Sequence, residues 1–211
     1  MCGIVGYYSS GINLTTDEFK NAIKSIKHRG PDNEGSFQEK NVGIGHTRLS
    51  IIDLSSMANQ PMFSKNKQYA IVYNGEVYNY KDIAKKYKIQ TYTNSDTEVI
   101  LEAFALKGYE VVKEFNGMFA IAIYDKVNKT LTFFRDRISK KPLFYFHDNN
   151  LFAFASEIKA LLEFSYIKSK LSLNLKAINY YLHLGFIPEP FTIYENIYKF
   201  PAPSVGIFSD G

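Results

Sequence analysis

Residues Phe119-Ala120-Ile121-Ala122-Ile123-Tyr124 are apolar without alternation, and no other stretch limits the fold as much. A strand with one wet face alternates apolar and polar side chains. An unbroken apolar run instead predicts a strand buried on both faces, as in sheets stacked on each other with helices outside. The neighbouring sequence agrees. Residues 118–124 and 131–134 enclose a turn at 125–129, and residues 143–146 and 151–155 enclose His147-Asp148-Asn149-Asn150, so two hairpins are expected.

Residues 3–9 read as a short buried first strand. A helix capped by Thr15 or Thr16 follows, with Asp17 and Glu18 in its first turn and Phe19, Ala22, Ile23 and Ile26 at helical spacing until Gly30-Pro31. Residues 42–46, 49–52 and 69–73 read as strands. Ser95-Asp96-Thr97-Glu98 matches a capping box opening a helix whose apolar face is Val99, Ile100, Ala103, Phe104 and Leu106, closed by Gly108. Beyond Phe164, Asn174 caps a helix expected to turn Leu175, Ile178, Tyr181 and Leu182 inward and to stop at Gly185. Segments 187–190 and 200–203 are proline-punctuated and read as a connecting arm. Residues 204–209 read as a strand entering a hairpin turn at Asp210-Gly211, yet no return strand follows, so a fragment of something longer is expected.

The chain has 211 residues, one cysteine and a formal charge of +4, with its basic residues interleaved among acids. No basic run is dense enough for a nucleic-acid stripe. A lone cysteine makes no internal disulfide, which suits a reducing cytoplasm. Neither a signal-peptide pattern nor eighteen consecutive apolar residues occurs, so secretion and membrane spanning are not expected. The four histidines and one cysteine show no zinc-ligand spacing.

The single cysteine is Cys2. If Met1 is trimmed, the chain begins with a thiol of pKa ~8.5 beside its own α-amine of pKa ~7.7–8.0, a nucleophile with a built-in base. An incidental cysteine near a start codon is the plainer alternative. Arg29-Gly30-Pro31-Asp32 can be simple helix-stop chemistry. Arg48, on a strand among apolar residues, calls either for a structural ion pair or for a substrate carboxylate. Asn74-Gly75 reads as a type I′ turn or as an oxyanion hole built from a side-chain amide and an unhindered N–H. Asp96 at a helix start either complements the helix dipole or holds an ammonium group.

Taken in order, these motifs resemble the glutaminase domain of the class II glutamine amidotransferases, and most closely the asparagine synthetase family. The likeness rests on Met1-Cys2-Gly3-Ile4-Val5-Gly6, Arg29-Gly30-Pro31-Asp32, the string from His46 to Leu54, Gln60-Pro61-Met62, Asn74-Gly75-Glu76 and Ser95-Asp96-Thr97-Glu98. It continues through Phe115 to Ala120, Arg135-Asp136-Arg137, Lys141-Pro142-Leu143 and Ser156 to Leu161, and covers essentially the whole chain. Ala58 and Ser139 depart from it, standing where relatives usually have glycine. The family's Ser-Gly-Gly-x-Asp-Ser phosphate loop is absent from these residues.

The resemblance implies an α+β N-terminal-nucleophile hydrolase fold, a four-layer α/β/β/α sandwich with two stacked, mainly antiparallel sheets. It divides the chain into a glutaminase domain at 1–163 and an arm at 164–211 toward a missing synthetase (ATP-pyrophosphatase) domain. It makes Cys2 the nucleophile and Asn74 and Gly75 the oxyanion donors. Arg48 would clamp the glutamine α-carboxylate and Asp96 its α-ammonium, with Leu49, Ser50, Ile51, Ile52 and Glu76 completing the pocket. No cofactor or metal is expected in this fragment; ATP and Mg would serve the missing domain. The expected partners are L-glutamine and the synthetase domain of the full-length chain, with a homodimer admitted and neither nucleic acid nor membrane. Ammonia would go to asparagine synthesis in the cytoplasm. The alternatives are another carboxylate acceptor, such as a sugar in polysaccharide assembly, and a non-catalytic remnant.

Overall fold

In the computed structural model, which describes residues 1–209, the apolar run forms strand β6 (Gly117–Asp125) and its alternate side chains enter different layers. Ala120, Ala122 and Tyr124 join a core between two sheets, while Phe119, Ile121 and Ile123 join a core beneath helices. Burial of a large apolar side chain is worth roughly 1.5–3 kcal/mol, so a one-residue slip of β6 would forfeit both cores at once. The strand is therefore pinned in register.

β6 is the middle strand of a five-stranded sheet ordered β11 (Ser204–Ser209), β7 (Thr130–Arg135), β6, β5 (Tyr69–Val77) and β4 (Met62–Phe63). The second sheet has six strands, ordered β10 (Ile197–Lys199), β8 (Phe144–His147), β9 (Leu151–Ala155), β1 (Gly3–Ser9), β3 (Val42–Arg48) and β2 (Asn33–Glu39). Every strand pairing is antiparallel. Helix α1 (Thr16–Ser25), with α4 (Ile158–Leu161) and α5 (Ser165–Lys168), covers the outer face of the six-stranded sheet, burying Phe19, Ala22, Ile23 and Ile167 against Val5, Tyr7 and Ala153. Helices α2 (Tyr80–Tyr87) and α3 (Asp96–Lys107) cover the other sheet through Ile83, Val99, Ile100 and Ala103. The result is the expected α/β/β/α sandwich. Both hairpins form where the sequence places them.

Thr15 caps α1 with a full capping box: its side chain accepts from Glu18 N–H, and the Glu18 carboxylate accepts from Thr15 N–H at 2.8 Å. The helix ends at Ser25 and a 3₁₀ turn at Lys27–Arg29 continues to Gly30. At α3 the box is incomplete. Ser95 accepts from Thr97 N–H, but the Glu98 carboxylate turns back to the N–H groups of Tyr92 and Thr93, tying down the preceding loop. Leu106, expected inward, is exposed.

Three larger differences have physical causes. Residues 49–52, expected as a strand, are loop, because the Arg48 guanidinium binds the carbonyls of Asp53 and Ser55 and curls the chain back on itself. Strand β2 was not foreseen: it is an edge strand of alternating half-buried and exposed residues with Phe37 as its one large apolar side chain. The segment 164–211, read as an arm, supplies an edge strand to each sheet, β10 against β8 and β11 against β7. Within it, helix α6 (Leu175–Leu184) is capped by Asn174 and ends at Gly185 as expected, but buries only Ala177. Leu175, Tyr181 and Leu182 face outward at 76%, 57% and 75% exposure. The turn expected at Asp210-Gly211 lies outside the described residues.

Candidate active site

Cys2 stands at the head of β1, which is held between β3 and β9 and buried throughout. The first ladder pair, Gly3 with Thr47, brings Cys2 beside the end of β3. Its Sγ accepts from Leu49 N–H at 3.4 Å and lies 3.6 Å from the Leu49 carbonyl oxygen. Its backbone is clamped as well: Arg29 Nε donates to the Cys2 carbonyl at 2.9 Å, while Arg29 Nη1 pairs with Glu157 at 2.9 Å. Gly30 makes that reach possible, since a Cβ there would come within 2.3 Å of the Thr47 carbonyl oxygen. Burial raises the Cys2 thiol above its usual pKa, outweighing the opposing pull of Leu49 N–H, the N-terminal ammonium and Arg48. A neutral thiol needs a base.

Across the cleft, Asn74 and Gly75 sit inside β5, not in a turn. Asn74 is 1% exposed, and its Nδ2 has no hydrogen-bond partner among the described residues. Buried amides are almost always paired, so an orphaned donor marks a place kept for something else. Gly75 is there because β6 runs tight against it: a Cβ would fall 2.2 Å from the Met118 carbonyl oxygen. Its neighbours are firmly fixed. Gln60 Oε1 accepts from Tyr73 N–H at 2.6 Å, His46 Nε2 meets the Tyr73 carbonyl at 3.2 Å, and Asp96 Oδ2 accepts from Val77 N–H at 3.0 Å.

The charged groups are buried with partners. Arg48 Nη1 donates to Ser55 O at 2.7 Å and to Asn59 Oδ1 at 2.6 Å, and Nη2 donates to Asp53 O. That leaves Nε–H and one Nη2–H, the edge of the guanidinium that suits a carboxylate fork. Asp96 also accepts from Tyr73 O–H at 2.8 Å, and burial raises its carboxyl above the usual range. Asp53 is shifted the other way: hydrogen bonds from Ser55 and from Asn94 N–H hold its carboxyl below the usual range, and the carboxylate ties two loops together.

One cleft is lined by Cys2, Arg48, Leu49, Ile51, Ile52, Asn74, Gly75, Glu76 and Asp96, nine of the ten residues expected from sequence. Ser50 is the exception, for it does not line the cleft and its N–H donates to Asp32 at 2.7 Å. Met1 does line it, and so do Gln60, Tyr73, Met118 and Lys141, to which no role was given from sequence. Gln60, Met118 and Lys141 lie within motifs that carry the resemblance, but only the fold shows what they face. Burial and the Arg29 charge lower the Lys141 pKa. Of the two departures, Ala58 is buried and lines the cleft, while Ser139 takes φ +56°, where glycine would sit without strain. Among the described residues, no helix is long and apolar enough to cross a membrane.

One cleft thus gathers a thiol at the head of a buried strand, an orphaned amide, a strand glycine, a cation and an anion. The chain matches the glutamine amidotransferase domain family over residues 1–211 and belongs to it. It is 41% identical over 226 residues to the second asparagine synthetase [glutamine-hydrolyzing] sequence of Methanocaldococcus jannaschii, covering 99% of this chain and 44% of that one. It is 35% identical over 219 residues to asparagine synthetase [glutamine-hydrolyzing] 1 of Bacillus subtilis, covering 100% of this chain and 34% of that one. The chain thus spans less than half the length of these curated relatives. The fold is shared with glutamine phosphoribosylpyrophosphate amidotransferase from Bacillus subtilis at a TM-score of 0.63 and 19% identity, covering 76% of this chain and 43% of that one.

Proposed function

We propose that this chain hydrolyses L-glutamine to glutamate and ammonia. The observation that carries the reading is the buried, partnerless Asn74 amide beside Gly75 in the cleft that holds Cys2. Once Met1 is removed, the freed α-amine takes the thiol proton and Sγ adds to the side-chain amide carbon of glutamine. The oxyanion that forms is met by Asn74 Nδ2–H and Gly75 N–H. Collapse of the adduct breaks the C–N bond, the protonated amine gives its proton to the leaving nitrogen, and ammonia departs. Water then hydrolyses the thioester, releasing glutamate and restoring the thiol. Arg48 and Asp96 hold the α-carboxylate and α-ammonium ends. Met1 lines the cleft, so its removal both frees the base and widens the substrate space.

In a longer chain, the ammonia would serve ATP- and Mg-dependent synthesis of asparagine from aspartate. Support comes from the names and greater lengths of the relatives. The outward apolar face of α6 also supports a covering unit. The single cysteine favours a reducing, cytoplasmic setting.

The test is release of ammonia and glutamate from glutamine by the purified protein, without ATP. Cys2→Ala should abolish it, and diazo-oxo-norleucine should add covalently to Cys2 in a peptide mass map. Wild-type turnover by Cys2→Ala, or labelling elsewhere in the chain, would refute the reading.

A further inference from the structure

The free edge of β5 leads to an inference about how the oxyanion donors are held, and it rests on the glutaminase reading above. β5 pairs with β6 over its whole length, from Tyr69 with Asp125 to Val77 with Gly117. On its other side β4 is only two residues long and pairs with Ile71 and Ala70. In an antiparallel strand the N–H and C=O of alternate residues point to the same edge. Tyr73, Gly75 and Val77 therefore present their groups where β4 has ended. The opposite strand agrees: Phe119, in register with Gly75, spends its N–H and C=O on Asp136 at 3.0 Å and 3.1 Å, away from β5.

Side chains take the place of the missing strand. Gln60 Oε1 binds Tyr73 N–H, and Gln60 is itself fixed by donating to Thr97 Oγ1 at 3.2 Å. His46 reaches across from β3 of the other sheet to the Tyr73 carbonyl. Asp96 takes Val77 N–H. Of the three N–H groups on this edge, that of Gly75 alone takes no side-chain acceptor among the described residues. A continuing backbone strand would have paired with it and closed the oxyanion hole. Separate side chains can bind on either side of it and leave it open.

We infer that His46 and Gln60 are positioning residues that clip the backbone on either side of Tyr73 to the sandwich and so aim Asn74 and Gly75 N–H into the cleft. His46 is well suited to this. It is fully buried, its Nδ1 has no partner among the described residues, and donation to a carbonyl places its one proton on Nε2. Burial and the Arg48 charge hold its pKa down to about 3 despite the Tyr73 carbonyl, so the donor persists unchanged through the working pH range.

The experiment compares His46→Leu, His46→Gln and Gln60→Leu with wild type. A displacement near 1 Å of reacting groups costs about a hundredfold, so His46→Leu should lower kcat by about that factor with KM within about twofold. His46→Gln, which restores an N–H donor, should recover most of it. Alkylation of Cys2 by iodoacetamide should keep its wild-type rate, because the nucleophile is untouched. Asn74→Ala added to His46→Leu should cost far less than it does alone. A kcat within threefold of wild type, equal losses in alkylation, or a multiplicative double variant would overturn the inference. Amide exchange supplies a readout independent of turnover: Tyr73 and Val77 N–H protected, Gly75 N–H fast, and Tyr73 protection lost in Gln60→Leu. If wild type shows no Cys2-dependent turnover, the glutaminase reading fails and that exchange pattern alone decides this one; a protected Gly75 N–H would sink it.

Discussion

Replacing Asn74 by alanine should separate catalysis from stability. The folded protein carries a buried Asn74 Nδ2 with no partner among the described residues. An unsatisfied buried polar group costs about 1–3 kcal/mol. Truncation to alanine removes that cost and leaves a void of a few heavy atoms, whose own penalty is on the order of 1 kcal/mol. The two oppose each other, so the unfolding free energy should stay within about 1 kcal/mol of wild type or rise. Catalysis has no such compensation. Loss of one oxyanion donor removes about 2.7–4 kcal/mol of transition-state stabilisation, so kcat should fall by a factor of about 10²–10³. KM should change little, since the donor meets charge that develops only in the transition state. The assay is glutamate release at saturating glutamine, paired with urea unfolding followed by circular dichroism. A kcat within tenfold of wild type would refute the oxyanion role. So would an activity loss accompanied by destabilisation of more than about 2 kcal/mol, which would make Asn74 a packing residue.

Two further predictions concern charge. Arg48→Ala should lower kcat/KM for glutamine at least tenfold, since a charge-assisted hydrogen bond is worth about 1.5–3 kcal/mol, and should cost less on glutamine α-amide, which lacks the carboxylate. A smaller loss should remain on the amide because Arg48 also ties down residues 53–59, and equal losses on both substrates would make the arginine purely structural. His46 should impose an acid sensitivity. Its folded pKa of about 3 lies below the unfolded value of ~6.5, so its contribution to stability is complete above the unfolded value and declines as pH falls through that window. Asp96, raised by burial, works in the opposite sense, its contribution being lost as pH rises through its folded value. Comparison with His46→Gln isolates the histidine: between pH 6.5 and 4.5 wild type should lose about 2–3 kcal/mol more than the variant in urea unfolding, and parallel losses would contradict the assignment.

The buried strand, both hairpins and the capped first helix were legible because each is written in neighbouring residues. β2 was hidden because an edge strand with one wet side needs few apolar residues. The reading of α6 went wrong in an instructive way. Its amphipathic stripe is real, but a stripe says only that a partner face exists, and none of the described residues covers Leu175 or Leu182. The site was legible as far as chemistry announces itself through residue type: a lone thiol, an arginine among apolar neighbours, an Asn-Gly pair. His46 and Gln60 gave no such signal. Their roles depend on where β4 stops and on which carbonyl of the opposite sheet lies within reach, and these are facts of topology.

The placement of β1 also sets a timetable for maturation. Its two neighbours are β3, within the first fifty residues, and β9, which ends at Ala155. Until that second neighbour has left the ribosome, the first strand can pair on one side only. At a synthesis rate of ~5–20 residues per second, the delay is on the order of ten to thirty seconds. An aminopeptidase has that interval to reach the methionine on an extended stub. Afterwards the peptide bond it must cut lies one residue from a strand paired on both sides. On the proposed mechanism, protein purified with the methionine still attached should resist trimming when folded, yield to it in urea, and release ammonia from glutamine only after trimming.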